Sequence, residues 1–152
     1  MKVNLGELAI SSSDFAHGQP IPKELVDAGT SPALSWDGVP EGTTSFALIV
    51  DDPDAPLING FTHWVVYDIP ADARGLAAAA DSGYTAGVND YGTGAYLPPG
   101  PPAGHGEHYY YFHLYAIGGD EPLPAGLTAA QLREAIDERV LAQARIVGVY
   151  QN

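Results

Sequence analysis

The segment Glu107–Ile117 restricts the fold more than any other part of the sequence. Its aromatic and aliphatic residues are typical of a β-strand, which places successive side chains on opposite faces of a sheet. Alternation gives one face with His108, Tyr110, Phe112 and Leu114, and another with Tyr109, Tyr111, His113 and Tyr115. We therefore predict a long strand whose tyrosine-rich face is half exposed or meets a partner.

Strands are also predicted for most of the remaining chain. Ser45–Val50 and Phe61–Pro70 are rich in strand-forming residues, and Asn4–Ile10 alternates weakly. The 18 glycines and 13 prolines favour strands joined by rigid turns over a helical bundle. Thr128–Ala144 is the one segment with convincing helical spacing, and we predict a helix there that packs on the sheet. The expected fold is mainly β with few helices.

Length and charge limit the domain count and the partners. The 152 residues are enough for one domain, 1–152, with a single core. Six Lys and Arg residues against 19 Asp and Glu residues give a net charge of -13, which opposes nonspecific binding to nucleic acid or anionic membrane. There is no cysteine, and no apolar run approaches the ~20 residues of a membrane span. We expect a cytoplasmic protein without nucleic-acid partners or integral membrane insertion.

The hexapeptide Asp51–Pro56 follows the apolar run Phe46–Val50, so that a predicted strand ends in three carboxylates and two prolines. Aspartate and proline are common turn formers, and a strand-terminating turn is one interpretation. The other is a functional site at the strand end. In this second interpretation Asp52 is the site carboxylate, while Asp51 is a solvated residue at the end of the strand.

His63 and the loop segments that precede His108 are further candidates for a site. His63 shares a predicted strand face with Val65 and Tyr67, where a histidine is either a hydrogen-bonded core residue or a functional one. The glycine-rich segment Gly83–Tyr96 is expected to run over the surface, and Pro98–Gly106 to form a stiff loop. If these segments converge with Asp52, they form a small polar pocket. Carboxylates beside imidazoles favour the charged ring, which can receive a phosphate or carboxylate.

Three motifs occur in order along the chain: Asp52–Pro56, His63-Trp64, and Gly100–Pro102 leading to His108 and Tyr110. Together they resemble the phosphatidylethanolamine-binding protein (PEBP) family, whose members include the Raf kinase inhibitor proteins. The resemblance covers nearly the whole chain and is closest to the shorter bacterial and archaeal branch. It implies a PEBP-like antiparallel β-sandwich with a few peripheral helices, one near the C-terminus, and an anion pocket at one end.

The resemblance also implies roles for individual residues. The pocket would be lined by Asp52, His63, His108 and Tyr110. Asp54 would brace the loop, Pro56 and Pro102 would form apolar walls, and Gly100 would offer a backbone N–H. The ligand would be a phosphate, a phosphoryl headgroup or a small carboxylate, and Ala55-Pro56 would be the candidate for a cis peptide bond.

The sequence departs from the family pattern around the pocket. Tyr109 stands where arginine is usual, which removes a cation, and Phe61 stands where a tryptophan is common. Pro98 and Pro99 occupy a stretch that supplies backbone amides in relatives, and proline has no N–H to donate. Weaker anion binding than in the family at large is expected.

Three functions follow, in descending order of support. The first is a small-anion or phosphoryl headgroup-binding protein. The second is an interaction module that inhibits a kinase or protease, for which the tyrosine-rich face would be the contact surface, and a homodimer is a related expectation. The third is a metal-dependent or acid-base hydrolase, disfavoured because no nucleophile motif or metal-ligand spacing is present. We therefore predict a protein that is not an enzyme and has no metal or cofactor.

Overall fold

Two antiparallel sheets form the framework of the computed structural model, which describes residues 7–58 and 60–152. In chain order the elements are β1 (Ala9–Ser11), α1 (Lys23–Ala28), β2 (Leu34–Asp37), β3 (Ser45–Asp52), β4 (Phe61–Pro70), β5 (Gly75–Leu76), β6 (Thr85–Ala86), β7 (His108–Ile117), α2 (Ala129–Ile136) and β8 (Val140–Tyr150). The large sheet has the order β6-β4-β3-β7-β8, and the small sheet the order β1-β2-β5. The predicted mainly-β fold with two antiparallel sheets is confirmed.

The position of strand β3 in the structure explains its uninterrupted apolar sequence. Its side chains at Phe46, Leu48 and Val50 enter a core cluster that also contains residues of the small sheet, such as Trp36. Ala47 and Ile49 instead belong to a second cluster that includes residues of α2. Because both faces of β3 are covered, the alternation of a half-exposed strand is absent.

Strand β7 has the alternation predicted for it. His108, Tyr110, Phe112 and Leu114 are buried, whereas Tyr109, Tyr111, His113 and Tyr115 are exposed or half-buried. Hydrogen bonding to β3 on one side and β8 on the other places β7 inside the large sheet. The half-exposed tyrosine face is therefore confirmed.

The helix predicted over Thr128–Ala144 is wrong in its second half. Thr128 caps α2 as expected, in a capping box with Gln131, but the helix ends at Ile136. From Val140 onward the chain forms β8, which pairs with β7 along its whole length. Nine consecutive pairings with a long central strand, and a tenth after a register shift, outweigh a helical pattern that local spacing alone suggests.

Two smaller predictions are also corrected. Strand β1 covers Ala9–Ser11 and therefore begins later than the predicted Asn4–Ile10, whose first three residues lie outside the described ones. Gly83–Tyr96 does not simply run over the surface, since Asn89 is buried and its side chain bonds Thr93 and the Ala95 carbonyl. Because the side-chain amide of Asn89 bonds groups of its own loop, the loop can pass into the protein without leaving buried backbone groups unpaired.

The loop after β3 contains no cis peptide bond, and none occurs elsewhere in the described residues. Ala55-Pro56, the candidate for a cis bond that the sequence left open, is therefore trans. The Leu57 N–H donates to the Ala55 carbonyl across Pro56 at 2.7 Å, which reverses the chain with a trans bond, the lower-energy isomer. Neither helix in residues 7–58 and 60–152 is long and apolar enough to cross a membrane.

Candidate functional site

A cavity of about 350 Å³ lies where β3 ends and β7 begins, and the proline-rich loop forms one side of it. Seven of the eight predicted site residues line it: Asp52, Pro56, His63, Gly100, Pro102, His108 and Tyr110. The eighth, Asp54, lies outside the lining. The motifs that are far apart in the sequence are therefore together in space.

The polar floor of the cavity is a buried pair formed by Asp52 and His108. Alternation along β3 continues the inward face of Phe46, Leu48 and Val50 to Asp52. Only 3% of Asp52 and 4% of His108 is exposed, and His108 Nδ1 lies 2.8 Å from Asp52 Oδ2. A carboxylate can only accept a hydrogen bond, so His108 Nδ1 carries a hydrogen and is the donor of this bond. The second carboxylate oxygen of Asp52 accepts from the Asp54 N–H at 2.8 Å.

His63 reaches the cavity because of a β-bulge. In the pairing of β3 with β4, Val50 opposes Trp64 and the next residue, Asp51, opposes Thr62, so His63 has no partner across the ladder. Such an extra residue is turned out of the regular alternation. The predicted common face of His63 with Val65 and Tyr67 is therefore wrong: the latter two pack in the α2 cluster, whereas His63 lines the cavity.

The environment of His63 fixes its tautomer and charge. Burial lowers the pKa of His63, and the bond to the Leu97 carbonyl and the nearby Asp52 charge offset this only in part. The ring is therefore neutral at pH 7. His63 Nδ1 lies 2.7 Å from the Leu97 carbonyl oxygen, which can only accept, so Nδ1 holds the proton and Nε2 is an acceptor.

Three polar atoms remain open to the cavity. His63 Nε2, His108 Nε2 and the Tyr110 hydroxyl make no hydrogen bond among the described residues, yet none of them is sealed from solvent. Burial, followed by the Asp52 charge, raises the pKa of Tyr110, so its hydroxyl stays protonated and can donate. The rings of His63 and Tyr110 meet edge to face with centroids 5.3 Å apart, which holds both side chains in place.

Asp54 acts on the loop and not on the cavity. Its Oδ2 accepts from the backbone N–H of Tyr109 at 2.9 Å and so ties the loop after β3 to the start of β7. This contact corresponds to the bracing role that the family resemblance implied for Asp54. Its position outside the lining makes it a positioning residue for the Asp52–His108 pair.

The sequence did not identify most of the apolar wall. Besides Pro98, noted only for its missing N–H, the wall contains Ala55, Leu57, Phe61, Tyr91, Leu97 and Pro101. Tyr91 is mostly exposed and meets Phe61 edge to face at 5.1 Å. Its N–H donates to the side chain of the buried Asn89. The Asn89–Gly92 turn was the available signal, but a turn motif does not reveal what it packs against.

Among the described residues, no lysine or arginine lines this cavity. Asp52 is the one carboxylate in that lining, and the imidazoles of His63 and His108 are the side chains there that can carry a positive charge. A bound oxyanion would therefore depend on proton uptake and on the Tyr110 hydroxyl. The weaker binding expected from Tyr109 in place of arginine stays a prediction.

Asp51 is not the solvated residue that the sequence suggested. It projects to the opposite face of the large sheet from Asp52, where Oδ1 lies 3.2 Å from His113 Nε2 and Oδ2 3.2 Å from Arg133 Nη2. Burial alone would raise the pKa of Asp51, but the His113 hydrogen bond and the neighbouring positive charges outweigh it and lower the pKa. Two adjacent aspartates thus form separate sites on the two faces of one strand.

Comparison with known proteins gives consistent results. The family model described as phosphatidylethanolamine-binding protein matches residues 11–151. A UPF0098 protein of Aquifex aeolicus is 43% identical over 94% of this chain and 88% of its own length. LppC of Mycobacterium tuberculosis, whose name includes the word lipoprotein, is 40% identical over 95% of this chain and 72% of its own length. The crystal structure of Escherichia coli YbcL, described as a new member of the mammalian PEBP family, is 32% identical, with a TM-score of 0.89 over 97% of this chain and 99% of that one.

Proposed function

The chain belongs to the phosphatidylethanolamine-binding protein family, and we propose that it binds a small ligand through a phosphoryl or carboxylate group in the Asp52–His108 cavity. The observation that carries the proposal is the set of three open polar atoms at the cavity: His63 Nε2, His108 Nε2 and the Tyr110 hydroxyl. Convergent polar groups in an otherwise apolar cleft are typical of small-molecule sites.

Each polar group has a distinct part in the proposed binding. Asp52 holds His108 by its Nδ1, so that Nε2 faces the ligand and donates once the ring is protonated. Tyr110 donates its hydroxyl proton. His63 Nε2 accepts from a protonated phosphoryl oxygen while the ring is neutral, or donates after taking up a proton. A phosphate monoester, which can both donate and accept, satisfies all three atoms.

The apolar wall limits the rest of the ligand. Pro56, Leu57 and Tyr91 surround the polar floor, and the volume of about 350 Å³ is at the small end of ligand pockets. A headgroup with a short organic substituent fits this combination of a polar floor and apolar sides. Phosphoethanolamine is therefore a suitable probe, with inorganic phosphate as the minimal anion.

We expect calorimetric titration with phosphoethanolamine at pH 6 to give saturable heat, and the His108→Ala variant to bind at least about tenfold more weakly, because a charge-assisted hydrogen bond is lost. His105→Ala is the matched control: its ring lies 6.1 Å from that of His108 but outside the cavity lining. No heat from the wild-type protein, or equal affinity in His108→Ala, would refute the proposal.

The second expected result is a pH dependence of binding. Burial lowers the pKa of His63 in the ligand-free protein, so the ring is neutral at pH 7. An anion that can only accept hydrogen bonds must therefore bind together with a proton. Binding of sulfate, whose charge is constant in this range, should therefore strengthen from pH 8 to pH 6, by up to about tenfold per pH unit for each proton taken up. Calorimetry in buffers of different ionisation enthalpy would count those protons. Affinity that does not change with pH would contradict the imidazole role.

The interaction-module alternative has less support. Of the tyrosine face that motivated it, Tyr111 is stacked on His113, and Tyr115 lines a cavity together with Arg133, whereas Tyr109 is 41% exposed. Inhibition of a kinase or protease stays a prediction, as does a homodimer. So does the cytoplasmic location, since the name of LppC describes a lipoprotein.

We further propose that the protein binds its ligand without transforming it. In residues 7–58 and 60–152, no group of three or more His, Asp or Glu side chains is arranged to hold a metal ion. The Asp52–His108 pair can move a proton, so hydrolysis of phosphoesters is the activity to measure. Turnover of a phosphomonoester, lost in His108→Ala, would replace the binding proposal with a catalytic one.

A further inference from the structure

A second cavity, of about 570 Å³, lies on the opposite face of the large sheet, beside α2. Its lining is mostly polar and includes Asp51, His113, Tyr115, Arg133, Gln143 and Arg145. Nothing in the family resemblance or in the first cavity accounts for this set of residues. The chain has only six Lys and Arg residues against 19 acidic ones, so two arginines at one cavity are a notable concentration of positive charge.

Arg145 is held in position by aromatic contacts and not by an ion pair. Its guanidinium carbon lies 5.5 Å from the centroid of the Tyr111 ring, a cation–π contact. Tyr111 in turn stacks on His113, with centroids 5.7 Å apart and an angle of 12° between the planes. His113 is also the cross-strand neighbour of Arg145. The ion pairs among the described residues do not include Arg145.

Other cations of the described chain are engaged by protein groups. Lys23 pairs with Asp27, Arg74 donates to carbonyls of its own loop, and Arg139 donates to the carbonyls of residues 118, 119 and 121. Arg145 makes no such hydrogen bond among the described residues. Its donors are therefore available to a ligand, and a planar guanidinium matches the two oxygens of a carboxylate or phosphate.

Arg133 and Asp51 complete the arrangement. Asp51 accepts from Arg133 at 3.2 Å, and the side chain of Arg133 is still 41% exposed. The bond to Asp51 fixes the guanidinium of Arg133. The lining thus contains one carboxylate, two guanidinium groups and one imidazole, which gives the cavity a net positive charge within a chain of net charge -13.

A purely structural role explains only part of this cluster. The Arg133–Asp51 pair ties α2 to the end of β3 and needs no ligand to account for it. The contact between Arg145 and Tyr111 does not connect separate parts of the fold, since the two residues lie on neighbouring strands that are already paired. Linking one element to another therefore accounts for Arg133 but not for Arg145, whose N–H donors make no hydrogen bond among the described residues.

We propose that this outer cavity is a second binding site, for a small oxyanion of the carboxylate or phosphate class, held by the guanidinium groups of Arg145 and Arg133. Asp51 acts as a positioning residue for Arg133, and Tyr111 and His113 act as positioning residues for Arg145. This site is independent of the Asp52–His108 cavity, because it lies on the other face of the sheet and does not use its residues.

NMR titration can observe the two cavities separately. Inorganic phosphate and succinate would each be added at constant ionic strength, with the side-chain signals of Arg145 and His113 reporting on the outer cavity and those of His108 on the first. We expect saturable shifts at Arg145 that persist in His108→Ala, and at least tenfold weaker binding there in Arg145→Gln. Arg74→Gln is the matched control, since Arg74 is a distant exposed arginine bonded to carbonyls.

The possible outcomes separate the two sites. Saturable shifts at Arg145 and His113 with either anion support the outer site if binding reported by His113 is weaker in Arg145→Gln but not in Arg74→Gln. The two anions distinguish a phosphate from a carboxylate ligand. Absence of saturable shifts at Arg145 in the wild-type protein with both anions overturns it, whatever happens at His108. Equal affinity at His113 in Arg145→Gln and the wild-type protein also overturns it, because it would show general charge screening.

Discussion

Replacing Asp52 by alanine is expected to remove ligand binding in the first cavity and to lower the free energy of unfolding by about 3 kcal/mol. The carboxylate is buried and accepts two hydrogen bonds, from His108 Nδ1 and from the Asp54 N–H. Alanine would leave both donors without a partner and the His108 ring without its orientation. Chemical denaturation measures the first effect, and phosphoethanolamine titration the second.

The matched control for this change is Asp37→Ala. Asp37 also ends a strand, β2, but is exposed. We expect its removal to change stability by no more than about 0.5 kcal/mol and to leave ligand affinity unchanged. Asp52→Asn keeps an acceptor oxygen for one of the two donors and should recover part of the stability while binding stays weak. Wild-type affinity in Asp52→Ala would show that the buried pair does not organise the site.

Phe112→Ala is expected to have the largest effect on stability, a loss of about 3–5 kcal/mol. Phe112 is fully buried in the cluster between the sheets and contacts the Phe15 ring at a centroid distance of 5.7 Å. Removing it leaves a cavity at the centre of β7, the strand that carries His108 and Tyr110. The melting temperature should fall by roughly 10 °C, which calorimetry measures.

Tyr109→Ala tests whether that loss comes from burial and not from strand propensity. Tyr109 is on the same strand but on its exposed face, and its contact with Asp54 is through the backbone, which alanine keeps. We expect a change below about 1 kcal/mol. A similar destabilisation in both variants would contradict the assignment of Phe112 to the core that supports the site.

Much of the candidate site follows from sequence because its residues occur at strand ends. The uninterrupted apolar run before Asp51–Pro56 indicates a buried strand, and the alternation of Glu107–Ile117 puts His108 and Tyr110 on its core face. Local patterns of this kind are sufficient when a side chain lies where its own strand directs it. Alternation does not show that these strands meet in space. That expectation came from the order of the motifs, which resembles the family pattern.

His63 and Val140–Ala144 show where local patterns fail. The face of His63 depends on a bulge in the pairing with β3, and a single inserted residue reverses which side of the sheet a side chain occupies. Val140–Ala144 has helical spacing but becomes part of β8, because β7 offers it backbone partners. In both cases the deciding interaction is with a strand distant in the sequence.

The sequence by itself determined the β-rich fold, through residue type and alternation, and the family, through the ordered motifs. The resemblance to that family, and not alternation, is what grouped Asp52, His63, His108 and Tyr110. Only the tertiary structure decided which wall residues close the first cavity and that Asp51 has partners of its own. It also brought Arg133 and Arg145 to one cavity, from α2 and β8. Cavities and charge clusters form between elements, and the distances between elements are set by packing and not by any one segment.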